Sequence, residues 1–126
     1  MNTQILTTQK QLLFGPSIFA GAAREKLVWS ARLCGIIMVL NLIDGLATLI
    51  WVLTDRATEA NPLMAVLVEF HPVAFIALKV MLVNLGAVLL LRYCYKFMAS
   101  AAIMAALVVY SIIVFFHSMM FWQVIL

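Results

Sequence analysis

Residues 33–53 read LCGIIMVLNLIDGLATLIWVL, an apolar stretch whose polar side chains are Asn41, Asp44 and Thr48. On a helix with about 3.6 residues per turn, these three residues and Gly45 lie on one side, and the remaining circumference is apolar. A helix of this length matches the hydrocarbon core of a bilayer, which is about 30 Å thick. A carboxylate near the middle of such a span is costly, so Asp44 is expected to face protein or trapped water rather than lipid.

The whole chain has the composition of a membrane protein. Of its 126 residues, 67% are hydrophobic and 10% are charged, and the mean hydropathy is +1.15. A soluble domain of this length needs far more polar surface, so we predict an all-α integral membrane protein. The net charge of +3 comes mainly from Lys and Arg that flank the apolar stretches. It indicates topology and contact with the lipid bilayer rather than nucleic-acid binding.

Three apolar stretches are long enough to form transmembrane helices, at residues 33–53, 73–91 and 101–122. We predict that they make up a membrane domain over residues 33–126, without a separate soluble domain. Residues 1–32 are predicted to form a cytoplasmic or interfacial segment. The apolar part of that segment is short and is followed by basic residues, so we do not expect it to be a cleaved signal peptide.

A shorter apolar stretch lies between the first two spans. Asn61 followed by Pro62 is typical of a helix start, with Asn as the cap and Pro at the first helical position. The helix predicted at residues 62–70 is too short to cross a membrane, so we expect it to lie at the outer interface.

The basic residues predict the orientation of the spans. Four precede the first span and two lie between the second and third, whereas the loop at 54–72 carries Arg56 among three acidic residues. The positive-inside rule therefore predicts a multi-pass protein of the bacterial inner membrane with a cytoplasmic N-terminus and an extracytoplasmic C-terminus. Cys34 and Cys94 then lie near the reducing side, where we expect free thiols.

This orientation gathers the polar side chains in the outer half of the membrane. We predict a cluster that serves either as an ion or proton path or as a set of hydrogen bonds between helices. Because helical side chains lean toward the N-terminus of their own helix, Asp44 and Lys79 are expected to lean apart. We therefore expect Lys79 to reach Glu59 or the lipid headgroups rather than to form a direct ion pair with Asp44. The predicted cluster comprises Asn41, Asp44, Thr48, Glu59, Asn61 and Lys79, with His117 as a relay near the outer rim. The alternative for His117 is a histidine bonded to water or to the backbone.

Other residues are predicted at helix–helix contacts. Lys79 and Asn84 point in different directions from the second span, which favours a further partner for that helix. The predicted contact residues are Asn84, Gly45, Gly86, Ala101 and Ala105.

The sequence carries no signature of a hydrolase, a nucleotide-binding loop or a Cys/His metal site. We therefore expect neither catalysis nor a cofactor, and the sequence does not identify a metal. The predicted function is that of a non-catalytic helix bundle or accessory subunit, which assembles with itself or with another membrane protein. The alternative is a small cation or proton translocator that uses Asp44.

The spacing of the polar residues resembles that of an uncharacterised prokaryotic family of small three-span membrane proteins, a domain of unknown function. The shared pattern is N-x2-D-x3-T, then E-x-N-P-x-M, then a lysine, and the resemblance covers roughly residues 40–91. It implies that one set of residues works as a unit, namely Asn41, Asp44, Thr48, Glu59, Asn61, Pro62 and Lys79. It implies no activity.

Overall fold

The computed structural model describes residues 2–13, 16–56, 58–59 and 61–126, and over these ranges the protein is helical apart from short turns. The helices are α1 (Asn2–Leu13), α2 (Pro16–Leu53), α3 (Pro62–Phe70), α4 (Pro72–Arg92) and α5 (Phe97–Ile125). Three segments are long and apolar enough to cross a membrane, namely Ala20–Leu53, Pro72–Arg92 and Phe97–Ile125. The predicted all-α, multi-pass membrane class is thus confirmed.

Helix α2 is much longer than the span predicted within it. It has 38 residues, which corresponds to about 57 Å at ~1.5 Å per residue and exceeds the ~30 Å hydrocarbon core. Its N-terminal part lies in the predicted interfacial segment and carries the exposed basic residues Arg24, Lys26 and Arg32. The first span and much of the segment before it therefore form one continuous helix.

The short helix α3 begins where the Asn-Pro pair predicts. The Leu63 amide donates to Asn61 Oδ1 at 3.1 Å, which satisfies one of the free amides of the first turn. The helix ends at Phe70, and α4 begins at Pro72 after one intervening residue. Helix α3 folds onto α4, where Met64 and Val68 are buried together with Phe75.

Helix α2 is the centre of the bundle. Both α4 and α5 pack along it, whereas α4 and α5 contact each other less. One apolar cluster near the α4–α5 turn is formed by Cys34, Ile37, Ala87, Cys94 and Ile103. Both cysteines are free and buried. The other apolar cluster lies under α3, and the polar residues of α2 lie between the two.

One polar contact shows which ends of the helices lie together. Lys26 Nζ, on α2, donates to the backbone oxygen of Tyr95 in the α4–α5 turn at 3.4 Å. The basic residues of α2 before the first span, namely Arg24, Lys26 and Arg32, and those between the second and third spans therefore lie at the same end of the bundle. The opposite end carries the loop that leads into α3.

Candidate functional site

Asp44 binds side chains from both of the other spans. Its Oδ2 lies 2.9 Å from Lys79 Nζ on α4, and its Oδ1 lies 3.0 Å from His117 Nε2 on α5. The side chain of Asp44 is 7% exposed and that of Lys79 is 19% exposed. One buried carboxylate thus joins α2, α4 and α5 through an ion pair and a hydrogen bond.

The prediction that Asp44 and Lys79 form no direct pair is wrong. That prediction used the direction of the Cα–Cβ bond, which governs the start of a side chain but not the end of a long, flexible one. The lysine stem packs beside Gly45, where a Cβ would make an ordinary van der Waals contact with Lys79 Cδ at 3.9 Å. The four-carbon stem of Lys79 crosses the surface of α2 at this glycine, and the ammonium reaches the carboxylate.

His117 is not a rim histidine bonded only to water or backbone. It lies eight residues before the end of α5, about 12 Å along the helix, and Asp44 lies about 14 Å from the end of α2. Its Nε2 faces Asp44, and its Nδ1 is enclosed without a partner among the described residues. A neutral ring with its hydrogen on Nε2 fits these contacts, because it donates to Asp44 and leaves no buried N–H unpaired. A proton relay through His117 needs a hydrogen-bond partner at Nδ1, and the described residues provide none.

Thr48 and Asn41 flank Asp44 on α2. Thr48 Oγ1 donates to Asp44 Oδ1 at 3.4 Å. Asn41, one turn toward the α4–α5 turn, is 0% exposed, and neither atom of its amide has a partner among the described residues. An unsatisfied buried polar group costs about 1–3 kcal/mol. Asn41 therefore lies beside the charged group without bonding to it.

The hydrogen bonds and ion pairs of the described residues do not join Glu59 or Asn61 to Asp44. Glu59 Oε1 instead accepts from the Asn61 amide at 3.1 Å, and both residues line a cavity of about 180 Å³ together with Lys79. The predicted cluster is therefore divided into two parts that meet at Lys79. Asp44, Thr48 and the buried Asn41 lie inside the bundle, and the loop residues lie across the cavity.

Only some of the residues predicted at helix–helix contacts lie at such contacts within the described chain. Gly45 is buried against Lys79, which is a contact between α2 and α4. A Cβ at Gly86 would meet nothing within 4 Å, so this glycine makes no close helix contact within the described chain. The Oδ1 of Asn84 is enclosed and accepts no hydrogen bond from a described residue. Ala101 and Ala105 are exposed on α5 and form a small-residue surface.

Two aromatic residues near the site were absent from the predicted set. Tyr110 lines the cavity of Lys79 and also a second, apolar cavity, and its spacing of seven from His117 places both on one face of α5. Trp51 is buried and packs against Phe121, with the two rings tilted by 40° and their centroids 4.4 Å apart. The helical spacing could have identified Tyr110, whereas the Trp51–Phe121 contact depends on the packing of α2 against α5.

The described residues include no group of three or more His, Cys, Asp or Glu that could hold a metal ion. The polar site is thus a carboxylate with one ammonium, one imidazole and one hydroxyl around it.

A family model described as "Domain of unknown function (DUF5658)" matches residues 35–123. The chain belongs to this family. The match includes α2 from residue 35, the loop with α3, α4 and most of α5, so it extends beyond the predicted resemblance at residues 40–91 into the third span. His117 and Tyr110 therefore lie inside the family's domain together with Asp44 and Lys79. Comparisons with curated proteins and with solved structures give no match.

Proposed function

We propose that this protein is a non-catalytic component of the cell membrane, whose charged core fixes one arrangement of its three spans. In this arrangement the protein presents its outer helix surfaces to a second copy or to a larger membrane complex. The observation that carries the proposal is that Asp44 binds Lys79 and His117, which belong to two different helices. Such a group holds helices in register, since sliding α4 would leave a charge unpaired in the membrane and sliding α5 would break the hydrogen bond between His117 and Asp44.

The surroundings of Asp44 favour this structural role over conduction. On the side of the α4–α5 turn, Asn41 is the last polar residue before the apolar cluster that contains Ile37 and Ile103. Both isoleucines are nearly fully buried. An ion that reached Asp44 from the loop side would meet hydrocarbon beyond Asn41, where desolvation is costly.

The orientation of the protein is part of the same proposal. The basic ends of α2 and of the α4–α5 turn lie together, as the contact between Lys26 and Tyr95 shows. We assign this end to the cytoplasm because positive charge is enriched on the cytoplasmic side of inner-membrane proteins. The N-terminus is then cytoplasmic, and the loop before α3 is extracytoplasmic.

Labelling with a membrane-impermeant thiol reagent tests this orientation. In a background with Cys34→Ala and Cys94→Ala, intact cells should label the variant Thr58→Cys from outside and should label Lys96→Cys only after lysis. Thr58 and Lys96 are both exposed, at opposite ends of the bundle. The reverse labelling pattern would place the N-terminus outside and contradict the assignment.

The exposed alanines of α5 support assembly. Ala101 and Ala105 are one turn apart, and small side chains at this spacing allow two helices to approach closely in a membrane. The full chain in a mild detergent should therefore form a dimer or larger assembly. The variant with Ala101→Leu and Ala105→Leu should shift the measured mass toward that of a monomer.

The control for this experiment is Gly35→Leu, which adds the same bulk at an exposed glycine of α2 with nothing within 4 Å of its Cβ. It should leave the assembly unchanged. A wild-type protein that is monomeric and retains no partner would contradict the proposed assembly.

The alternative function is a small cation or proton translocator. It is favoured by the cavity that places Lys79, the partner of Asp44, between the loop and the bundle interior. The same purified protein, placed in liposomes, distinguishes the two functions. We expect no flux of protons, alkali metals or divalent metals above that of empty liposomes. A flux that Asp44→Asn abolishes without loss of assembly would establish the alternative.

A further inference from the structure

The basic end of the bundle carries positive charge that the described chain does not neutralise. Of the five acidic residues, Glu25 alone lies at this end. Both ion pairs of the described residues belong to Asp44, in the middle of α2, so Glu25 takes part in neither. The cations of this end therefore have no carboxylate partner within the described chain, and they are Arg24, Lys26, Arg32, Arg92 and Lys96.

Arg32 is the cation that lies at the membrane boundary. It directly precedes the apolar stretch that begins at Leu33, and its side chain is exposed. Its guanidinium carbon lies 5.6 Å from the ring centroid of Trp29, and this ring is its contact among the described residues. A guanidinium held over an aromatic ring keeps its N–H groups free at its edge. Arg32 can therefore donate two hydrogen bonds to one phosphate.

A surface groove of about 490 Å³ lies next to Arg32 on α2. Nothing lies within 4 Å of a Cβ at Gly35, so open space adjoins the helix at this position. The groove faces away from the bundle, since Gly35 and Val39 are exposed whereas Cys34 and Ile37 are buried. Beyond Arg32 the walls of the groove are apolar, namely Gly35, Ile36, Val39 and Leu40.

The groove and its arginine lie within one leaflet. From Leu33 to Leu53 the helix rises about 30 Å at ~1.5 Å per residue, which matches the hydrocarbon core. Arg32 is thus at the edge of the core. Leu40 lies about 12 Å from Arg32 along the helix, which is less than half of the core. A phosphate at Arg32 and an acyl chain that reaches Leu40 therefore belong to the same leaflet.

A lipid matches this face of α2 better than a second copy of the chain does. Two copies in one membrane share their orientation, so a symmetric contact through the groove would place a second Arg32 at the same depth. The acidic residue of this end, Glu25, lies two helical turns away along α2 and could not pair with either arginine at that depth. An anionic lipid supplies the missing negative charge together with a chain for the apolar walls.

We propose that the groove beside Arg32 binds one anionic phospholipid from the leaflet at the basic end of the bundle. Its phosphate accepts hydrogen bonds from the Arg32 guanidinium, and one acyl chain passes Gly35 toward Leu40. A net negative headgroup compensates a guanidinium that no carboxylate neutralises, which a zwitterionic headgroup does only in part. The site does not depend on assembly, and the proposed orientation enters only in assigning the leaflet to the cytoplasmic side.

Lipid retention by the full chain tests this proposal. The protein is delipidated in mild detergent and is given dioleoyl lipids with glycerol, choline or ethanolamine headgroups, and native mass spectrometry counts the lipids that stay bound. One phosphatidylglycerol should be retained about tenfold better than either zwitterionic lipid, as expected when one net negative charge lies beside an unneutralised guanidinium.

Matched variants locate the site. Arg32→Gln should remove the preference for phosphatidylglycerol, whereas Arg92→Gln, at an exposed arginine of the same end on α4, should keep it. Gly35→Leu fills the groove and should lower the retention of phosphatidylglycerol about tenfold. Gly21→Leu adds the same side chain at an equally open glycine of α2 outside the groove and should leave retention unchanged.

Three results would overturn the proposal. Equal retention of the three lipids, or a preference that Arg32→Gln leaves unchanged, would indicate lipid bound without a specific site. A change of oligomer size on Gly35→Leu, with no lipid bound to the wild type, would assign the groove to a second copy instead. If Gly35→Leu does not fold, Val39→Trp fills the apolar part of the groove, and the comparison of Arg32→Gln with Arg92→Gln decides without either.

Discussion

Replacing Lys79 by Met should destabilise the bundle by about 3 kcal/mol, as expected when a buried ion pair loses one partner. Met keeps much of the length of the stem that crosses Gly45, so the packing of α4 on α2 changes little. Asp44 would keep His117 and Thr48 as partners but would lose its ion pair. The measurement is the free energy of unfolding in mixed micelles as the denaturing detergent is raised.

The double variant with Asp44→Asn and Lys79→Met separates the charge from the packing. Removing both charges leaves no unpaired ion, so the double variant should recover to within about 1 kcal/mol of the wild type. Lys96→Met is the matched control, because Lys96 is exposed and, among the described residues, its ammonium contacts only the ring of Tyr93. It should cost about 1 kcal/mol or less. If the double variant were as unstable as Lys79→Met, there would be no energetic coupling between Asp44 and Lys79.

The parts of the fold that depend on local sequence could be predicted. The three spans follow from the length and hydropathy of their apolar stretches, and the start of α3 follows from Asn61 and Pro62. Neither feature requires knowledge of which helix faces which. The composition alone also excluded a soluble domain of ordinary polarity.

The contacts of the site could not be predicted in the same way. Whether Lys79 reaches Asp44 depends on how α4 packs on α2, where the lysine stem lies beside Gly45. The depth of His117 was misplaced because α5 extends to Ile125, three residues beyond the predicted end of its span. Because α5 is longer than the bilayer is thick, the distance of a residue from the end of the helix does not give its depth in the membrane.

The second large effect is expected at Gly45. Leu at this position would place its outer carbons where the stem of Lys79 lies, because even a Cβ would be 3.9 Å from Lys79 Cδ. Gly45 is buried, so the added carbons have no route to the lipid. Either α4 moves away from α2 or the ammonium leaves Asp44. We expect a loss of about 3–5 kcal/mol in the free energy of unfolding, from overpacking together with a broken ion pair.

Two matched variants isolate the cause of this loss. Gly45→Ala adds only an ordinary van der Waals contact at 3.9 Å and should change stability by less than about 1 kcal/mol. Gly35→Leu adds the larger side chain to the same helix in open space and should also be mild. The double variant with Gly45→Leu and Lys79→Met should cost less than the sum of its single changes, since both break the same ion pair. Strict additivity would mean that Gly45 supports the bundle without holding Lys79 against Asp44.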